Sequence, residues 1–281
     1  MLEADTVSPL WAGDATDGAF TLDDVNCAPE SAVMTAVACP MLLGYTPQNP
    51  NGRAMLVLGG GGYTALMAGR EGVAVAQWLT GLGYHAFVLI HRFPNADHGV
   101  SASLDDAMEA MRTIRASGLA ERGLGVIGLS SGGHLAACLA ADYPSDWSPP
   151  TSTHSGQSTR PDLLVVGYAP ISTNAKGRTI IADKPPLPPR EKQAMYDRLQ
   201  PDVQLLPDPP PTFIVYAGND AVVPVDNAHR LHAAMTAAGG MAELHIFADA
   251  PHGFALDTVG KPVSLWPMLC EAWLAQMGFR D

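Results

Sequence analysis

Gly128-Leu129-Ser130-Ser131-Gly132 stands between an apolar run, Leu124 to Ile127, and a helix-like stretch, His134 to Ala140. A strand, a turn with serine at its apex and a helix is the arrangement that presents a serine hydroxyl as a nucleophile. Glycines two before and two after the serine let backbone pass where side chains would clash, which turns Ser130 out toward a substrate. The helix that begins there also directs free N–H groups at any anion formed beside the serine. The same five residues fit a glycine-rich connector without chemistry, because short motifs recur by chance. Other residues must decide.

A serine hydroxyl is a poor nucleophile until a base takes its proton, and that base needs a carboxylate to fix its tautomer. The order serine, acid, histidine, each after a strand, has candidates here. Asp220 follows the run Phe213 to Ala217 in Gly218-Asn219-Asp220, and His252 follows Leu244 to Phe247 in Ala250-Pro251-His252-Gly253-Phe254. Both fall just past the carboxyl ends of strands, where open α/β sheets build their sites. Of the nine histidines, His229 and His232 lie in a helical pattern, His245 within a strand, and His85 before one. Asp226 is the reserve acid, but its place at the start of a helix suits it to cap free N–H groups.

The fourth element is Gly59-Gly60-Gly61-Gly62-Tyr63. Successive glycines let backbone N–H groups face a concave nest, so this run, with the N–H of Ser131, is the expected oxyanion hole. A phosphate-binding loop is the rival reading. It lacks the following Gly-Lys-Ser or Gly-Lys-Thr, and the spacing G-x-G-x-x-G does not fit.

These residues need a scaffold, and the hydropathy supplies one. Buried-strand runs at Ala54 to Leu58, Ala86 to Ile90, Leu124 to Leu129, Leu163 to Val166, Phe213 to Ala217 and Leu244 to Phe247 alternate with helical spacings. The helical sets are Val75/Trp78/Leu79/Leu82, Leu104/Ala107/Met108/Met111, Ala228/Leu231/His232/Met235 and Leu265/Met268/Leu269/Ala272. Such alternation predicts an α/β fold with a mostly parallel central sheet and helices on both faces, preceded by antiparallel strands. At 281 residues, 47% hydrophobic, one domain over 1–281 is expected. Residues 142–161 read as an exposed loop. Residues 172–211, rich in proline, read as a long connection between two strands that is placed to cover the site or to be plain solvated loop.

A formal charge of −12 from 16 basic and 28 acidic residues argues against nucleic acid and anionic membranes as partners. No stretch approaches a membrane span and the first residues lack signal-peptide character, so a soluble chain is expected, cytoplasmic or exported with its signal removed. Neither compartment nor oligomeric state is readable. The four cysteines do not form a disulfide framework; Cys27 and Cys39 could pair, while Cys138 and Cys270 read as core, and free thiols are expected throughout. No spacing suggests a metal, and none is expected.

Several segments together resemble the α/β-hydrolase esterases that include bacterial acetylxylan esterase-like enzymes and hormone-sensitive-lipase relatives. They are Leu56 to Tyr63, Arg70-Glu71-Gly72, Ala76 to Leu79, Gly83-Tyr84, Gly128 to Leu135 and Pro211-Thr212-Phe213. The resemblance covers roughly residues 50–275. It implies the α/β-hydrolase fold and hydrolysis of short acyl esters, often acetyl groups on sugars, without cofactor. The resemblance implies Gly61 and Gly62 as the oxyanion donors of this loop; Gly59 replaces the first residue of that family's Pro-Gly-Gly-Gly-Tyr or His-Gly-Gly-Gly motif, and His91-Arg92-Phe93-Pro94 stands where Tyr-Arg-Val-Ala-Pro is usual. His134 and Asp106 match family positions and read as structural. Glu71 reads as a residue near the site or a charge in a first helical turn, Tyr63 as a substrate-binding residue, and Trp78 as core or substrate wall. The expected activity is that of a serine carboxylesterase using Ser130, His252 and Asp220. Alternatives on the same fold are a lipase, disfavoured by the proline- and charge-rich 172–211 segment, a peptidase, or a binding module without catalysis.

Overall fold

The computed structural model describes residues 2–144, 146–178 and 180–280. Its strands are β1 (Thr6–Pro9), β2 (Phe20–Leu22), β3 (Met34–Val37), β4 (Met41–Tyr45), β5 (Ala54–Leu58), β6 (His85–Ile90), β7 (Leu124–Leu129), β8 (Leu163–Gly167), β9 (Thr212–Ala217) and β10 (Ala242–Phe247). The helices are α1 (Ala74–Gly81), α2 (Ala102–Ala116), α3 (Ser131–Cys138), α4 (Arg190–Arg198), α5 (Pro201–Gln204), α6 (Asp226–Ala237) and α7 (Trp266–Gln276).

Eight strands form one sheet in the order β1-β4-β6-β5-β7-β8-β9-β10, and β2 pairs with β3 separately. From β6 to β10 every pairing is parallel, while β4 and β1 are added antiparallel. Strands β4, β5, β7, β8 and β9 are buried along their whole length, which is why they read as continuous apolar runs rather than alternating ones. Helices cover both faces. Trp78 of α1 meets Trp266 of α7 edge-on at 5.5 Å, while α2 and α3 touch each other and α5 joins α3 to α6.

This topology puts a switch point at β5. The chain leaves β5 for β6 on one side, and β7 then pairs on the other, so the connections after β5 and β7 diverge and leave a crevice at their carboxyl ends. The glycine run follows β5, and Ser130 follows β7.

Two expectations are corrected. Helix α7 exists, but the apolar set that indicates it does not pack inward: Leu265, Met268 and Leu269 are 52%, 66% and 38% exposed. Trp266, Cys270 and Trp273 have the same helical spacing and are buried instead; two indole rings remove more apolar area from water than the smaller set. Residues 172–211 are not a structureless connection either. Helix α4 begins directly after Pro189 and buries Met195 and Tyr196, and prolines on both sides of that nine-residue segment obscure its pattern in the sequence.

The turn into α3 is closed by backbone contact. A methyl group built on Gly132 would lie 2.0 Å from the Leu58 carbonyl oxygen, and one on Gly128 would lie 2.2 Å from that of Gly132. Backbone atoms cannot give way as a flexible side chain can. Gly132→Ala is therefore expected to lower the free energy of unfolding by about 3 kcal/mol or more. Gly81, with nothing within 4 Å, serves as the control: Gly81→Ala in a helix should be neutral or stabilising by up to about 1 kcal/mol. Urea denaturation of the two variants checks this, and equal effects would refute the packing account.

Candidate active site

Ser130 sits at the apex of the β7–α3 turn with φ 51°, a left-handed conformation that costs a non-glycine residue energy and must be held by its surroundings. Its N–H donates to the Gly167 carbonyl at 2.9 Å, and its own carbonyl accepts from Gly133 and His134. The hydroxyl lies 3.0 Å from His252 Nε2. On the other side of the ring, His252 Nδ1 lies 2.7 Å from Asp220 Oδ2, while Asp220 Oδ1 accepts the N–H groups of Val222 and Val223 at 2.8 Å each. The Asp220 side chain is fully buried and acceptor-only as a carboxylate, so the imidazole carries its proton on Nδ1 and offers Nε2 to the serine O–H. Asn219 joins the two loops: its amide donates to Asp249 at 2.6 Å and accepts from the Ala250 N–H at 3.0 Å. Asp226 is exposed in the first turn of α6, after the N-cap Val225, has no side-chain hydrogen bond among the described residues, and stands apart from this set.

The glycine loop lies opposite the elbow. Gly61 adopts φ +129°, and a methyl there would lie 2.2 Å from the Ala65 carbonyl. The N–H groups of Gly61 and Ser131 have no acceptor among the described residues, whereas that of Gly62 donates to Ser131 Oγ at 2.9 Å. The Gly60 N–H donates to Glu71 Oε2 at 2.7 Å, and the other Glu71 oxygen accepts the Tyr168 hydroxyl at 3.0 Å. Tyr168 in turn accepts the Ala255 N–H at 3.2 Å and stands edge-on to His252 at 5.3 Å. One buried carboxylate thus links the glycine loop to the histidine loop. Burial pushes its pKa above the ordinary value, against the hydrogen bonds from Gly60 and Tyr168 and the nearby His252 and Arg70.

A cleft of about 130 Å³ opens over Ser130 and His252, with Gly62, Ser131, Leu187 and Tyr196 among its walls. A larger cavity of about 490 Å³, beside Arg70 and Asp257, contains none of Ser130, His252 or Asp220.

The sequence profile of the alpha/beta hydrolase fold family matches residues 58–256. This chain belongs to the α/β-hydrolase family. It is similar to the acetylxylan esterase of Xylanibacter ruminicola, 28% identical over 231 residues, which are 76% of this chain and 43% of that protein. It is also similar to the endo-1,4-beta-xylanase B of Butyrivibrio fibrisolvens, 29% identical over 189 residues, covering 62% of this chain and 28% of that one. The chain thus spans less than half the length of the curated relatives it matches. Among solved structures, the acetyl ester-xyloside bifunctional hydrolase of Caldicellulosiruptor lactoaceticus is similar at TM-score 0.73 and 28% identity, covering 98% of this chain and 97% of that one. The esterase resemblance read from the motifs agrees with these relatives.

Against the sequence reading, this α/β hydrolase brings Ser130, Asp220, His252, Gly62 and Ser131 to one place. Tyr63 is corrected: it is 1% exposed, its hydroxyl meets His134 Nδ1 at 2.9 Å, and it packs behind the glycine loop rather than in the cleft. Its φ of 61° reverses the chain after the glycines and sends the ring inward. Asp106 is structural, holding the Arg92 guanidinium at 2.6 Å and the Trp11 indole N–H at 2.8 Å. Trp78 is tied to α7, 3.0 Å from Glu271. Cys27 and Cys39 are both free. Among the described residues no group of three or more His, Cys, Asp or Glu could hold a metal ion, and no helix is long and apolar enough to cross a membrane. Sequence reading gave no role to Tyr168, although its place directly after the β8 run was a usable signal; it read 172–211 as a cover for the site or plain loop, without naming the cleft walls that segment contributes.

Because burial raises the folded-state pKa of Glu71 above 4.5, the folded protein binds more protons there than the unfolded chain once pH exceeds that value. Stability then declines as pH rises through the window. Glu71→Gln cannot ionise and lacks this decline. Urea unfolding at about pH 4.5 and about pH 7.5 should show the variant gaining on the native chain at the higher pH; a constant difference between the two would refute the assignment.

Proposed function

We propose that this chain is a serine carboxylesterase for short acyl esters, with O-acetyl groups on carbohydrates as the favoured substrates. The observation that carries the reading is the continuous set Ser130–His252–Asp220, with contacts of 3.0 and 2.7 Å. Ser130 Oγ attacks the ester carbonyl and passes its proton to His252 Nε2, forming a tetrahedral oxyanion. The oxyanion lies against the N–H groups of Gly61, Gly62 and Ser131; Gly62 exchanges the Ser131 hydroxyl for it. Collapse breaks the bond to the alcohol, which leaves with the proton from His252, and water then releases the acid from the acyl-serine by the same steps. Asp220 touches only the imidazole, holding its tautomer and stabilising its charged form. Relatives named for acetyl esters and xylan support the substrate class.

Ser130→Ala is expected to abolish ester turnover and leave the fold intact by circular dichroism. A serine-directed phosphonate should label Ser130 and not Ser131, whose hydroxyl is engaged by the Gly62 N–H. Labelling of Ser131, or undiminished turnover in the variant, would overturn the reading.

Acyl length tests the size of the cleft. A cleft of about 130 Å³ leaves little room beyond a short acyl chain, and a chain too long for it pushes the carbonyl away from its donors. With p-nitrophenyl esters from acetyl to palmitoyl, kcat/KM should peak at acetyl or propionyl and fall at least about tenfold by octanoyl. A peak at octanoyl or beyond would point to a lipase instead.

A further inference from the structure

The chain has four lysines in 281 residues, and three of them, Lys176, Lys184 and Lys192, fall within seventeen positions of the proline-rich insertion. Lys184 and Lys192 line the cleft that holds Ser130 and His252. A methyl group built on Gly62 would lie 3.7 Å from Lys192 Nζ, so that ammonium stands at the rim of the glycine loop. Lys184 also borders an adjoining hollow with Lys176. The remaining lysine, Lys261, is paired with Asp249 at 2.9 Å, whereas neither cleft ammonium has a carboxylate within 4 Å among the described residues. Asp197, in the adjoining hollow, already accepts the Lys176 N–H at 2.7 Å and the Gln193 amide at 2.8 Å.

Burial holds both lysines below the ordinary ammonium range, and Lys184 lowers Lys192 further. Two like charges, partly desolvated and side by side, oppose folding unless an anion compensates them. Among the described residues no ion pair meets either ammonium, despite a net charge of −12, and the neighbouring cleft walls Leu187, Tyr196, Val222 and Val223 are uncharged. The compensating charge must then come from outside. We propose that the ester hydrolysed here carries a carboxylate close to its scissile bond, and that Lys184 and Lys192 bind that carboxylate.

This rests on the esterase reading of the same site. The carboxylate has two possible homes: the alcohol, as in an O-acetylated uronic acid, or the acyl group, as in the half-ester of a dicarboxylic acid. Matched pairs separate them: acetylated glucuronate against acetylated glucose, and monomethyl succinate against methyl butyrate, followed by acid release. In one pair the carboxylate member should have at least about tenfold higher kcat/KM, in keeping with one charge-assisted contact, and that pair identifies the source. The ratio should shrink as salt rises from about 20 to about 500 mM, shortening the screening length from roughly 20 Å to under about 5 Å. It should also fall toward unity in Lys184→Met/Lys192→Met.

A second readout needs no variant. Free glucuronate or succinate should compete with a neutral ester at concentrations where glucose does not. Turnover of the neutral esters without preference for either charged partner, a preference unchanged by removing both lysines, or equal inhibition by glucose and the anions would overturn the proposal alone. Failure to turn over any of the four esters would overturn the esterase reading and this inference with it.

Discussion

The close approach of Gly132 to the end of β5 is the constraint on which the site depends. Leu58 and Gly128 are paired across β5 and β7, so the strand ends are separated by the sheet spacing of about 4.8 Å. Any side chain on Gly132 would meet the Leu58 and Gly59 carbonyls. With only hydrogen there, the first turn of α3 slides against the neighbouring strand, and Ser130, held in its left-handed conformation, faces the glycine loop that β5 releases. The distance between Ser130 and the loop is therefore set by sheet geometry and not by mobile side chains, which is what the proposed stabilisation of a short-lived charge requires.

Glu71 extends that constraint to the histidine. Its two oxygens accept from two donors, Gly60 and Tyr168, which a carboxylate can do and an amide, with one acceptor oxygen, cannot. Burying it is costly, and the cost is offset only while both donors stay in place. The glycine loop and the Tyr168 ring beside His252 are thus not independent: a shift of either leaves a buried oxygen unsatisfied. Arg70, whose guanidinium is paired with Asp257 at 2.6 Å, acts on Glu71 through its nearby charge and donates no hydrogen bond to it among the described residues.

What could be read from the sequence divides along physical lines. Ser130, Asp220 and His252 each follow a long apolar run, and local patterning identifies both the run and the polar residue that ends it. The elements of the sheet were legible for the same reason. Facing was less so: the stripe Leu265/Met268/Leu269 and the set Trp266/Cys270/Trp273 have equal periodicity, and only the partner surface of Trp78 decides between them. Tyr63 was misread because its direction depends on one backbone dihedral after a run of glycines. Glu71 drew notice by position, but its second bond is to Tyr168, 97 residues away, and no local pattern encodes a long-range hydrogen bond. The lysines of the insertion were visible as residues, yet their scarcity elsewhere carries meaning only once two of them are seen in the cleft.

Among the contacts that tie the insertion to the scaffold is one buried imidazole. His134, wholly buried in α3, meets the Leu199 carbonyl just beyond α4 through Nε2 and the Tyr63 hydroxyl through Nδ1, both at 2.9 Å. A carbonyl can only accept, so Nε2 carries the proton and Nδ1 accepts from the tyrosine. Burial holds the His134 pKa down to about 4, so the ring stays neutral at physiological pH and the arrangement does not titrate there. Three parts of the site, helix α3 after Ser130, Tyr63 after the glycine run and the end of α4, therefore share one anchor, reinforced by Tyr196 packed against His134 at 4.9 Å. Lys192 and Tyr196 lie on that anchored helix. The wall they form over Ser130 is consequently tied to the same geometry that positions Ser130, so under the proposed function a substrate would meet a preformed site rather than assemble one.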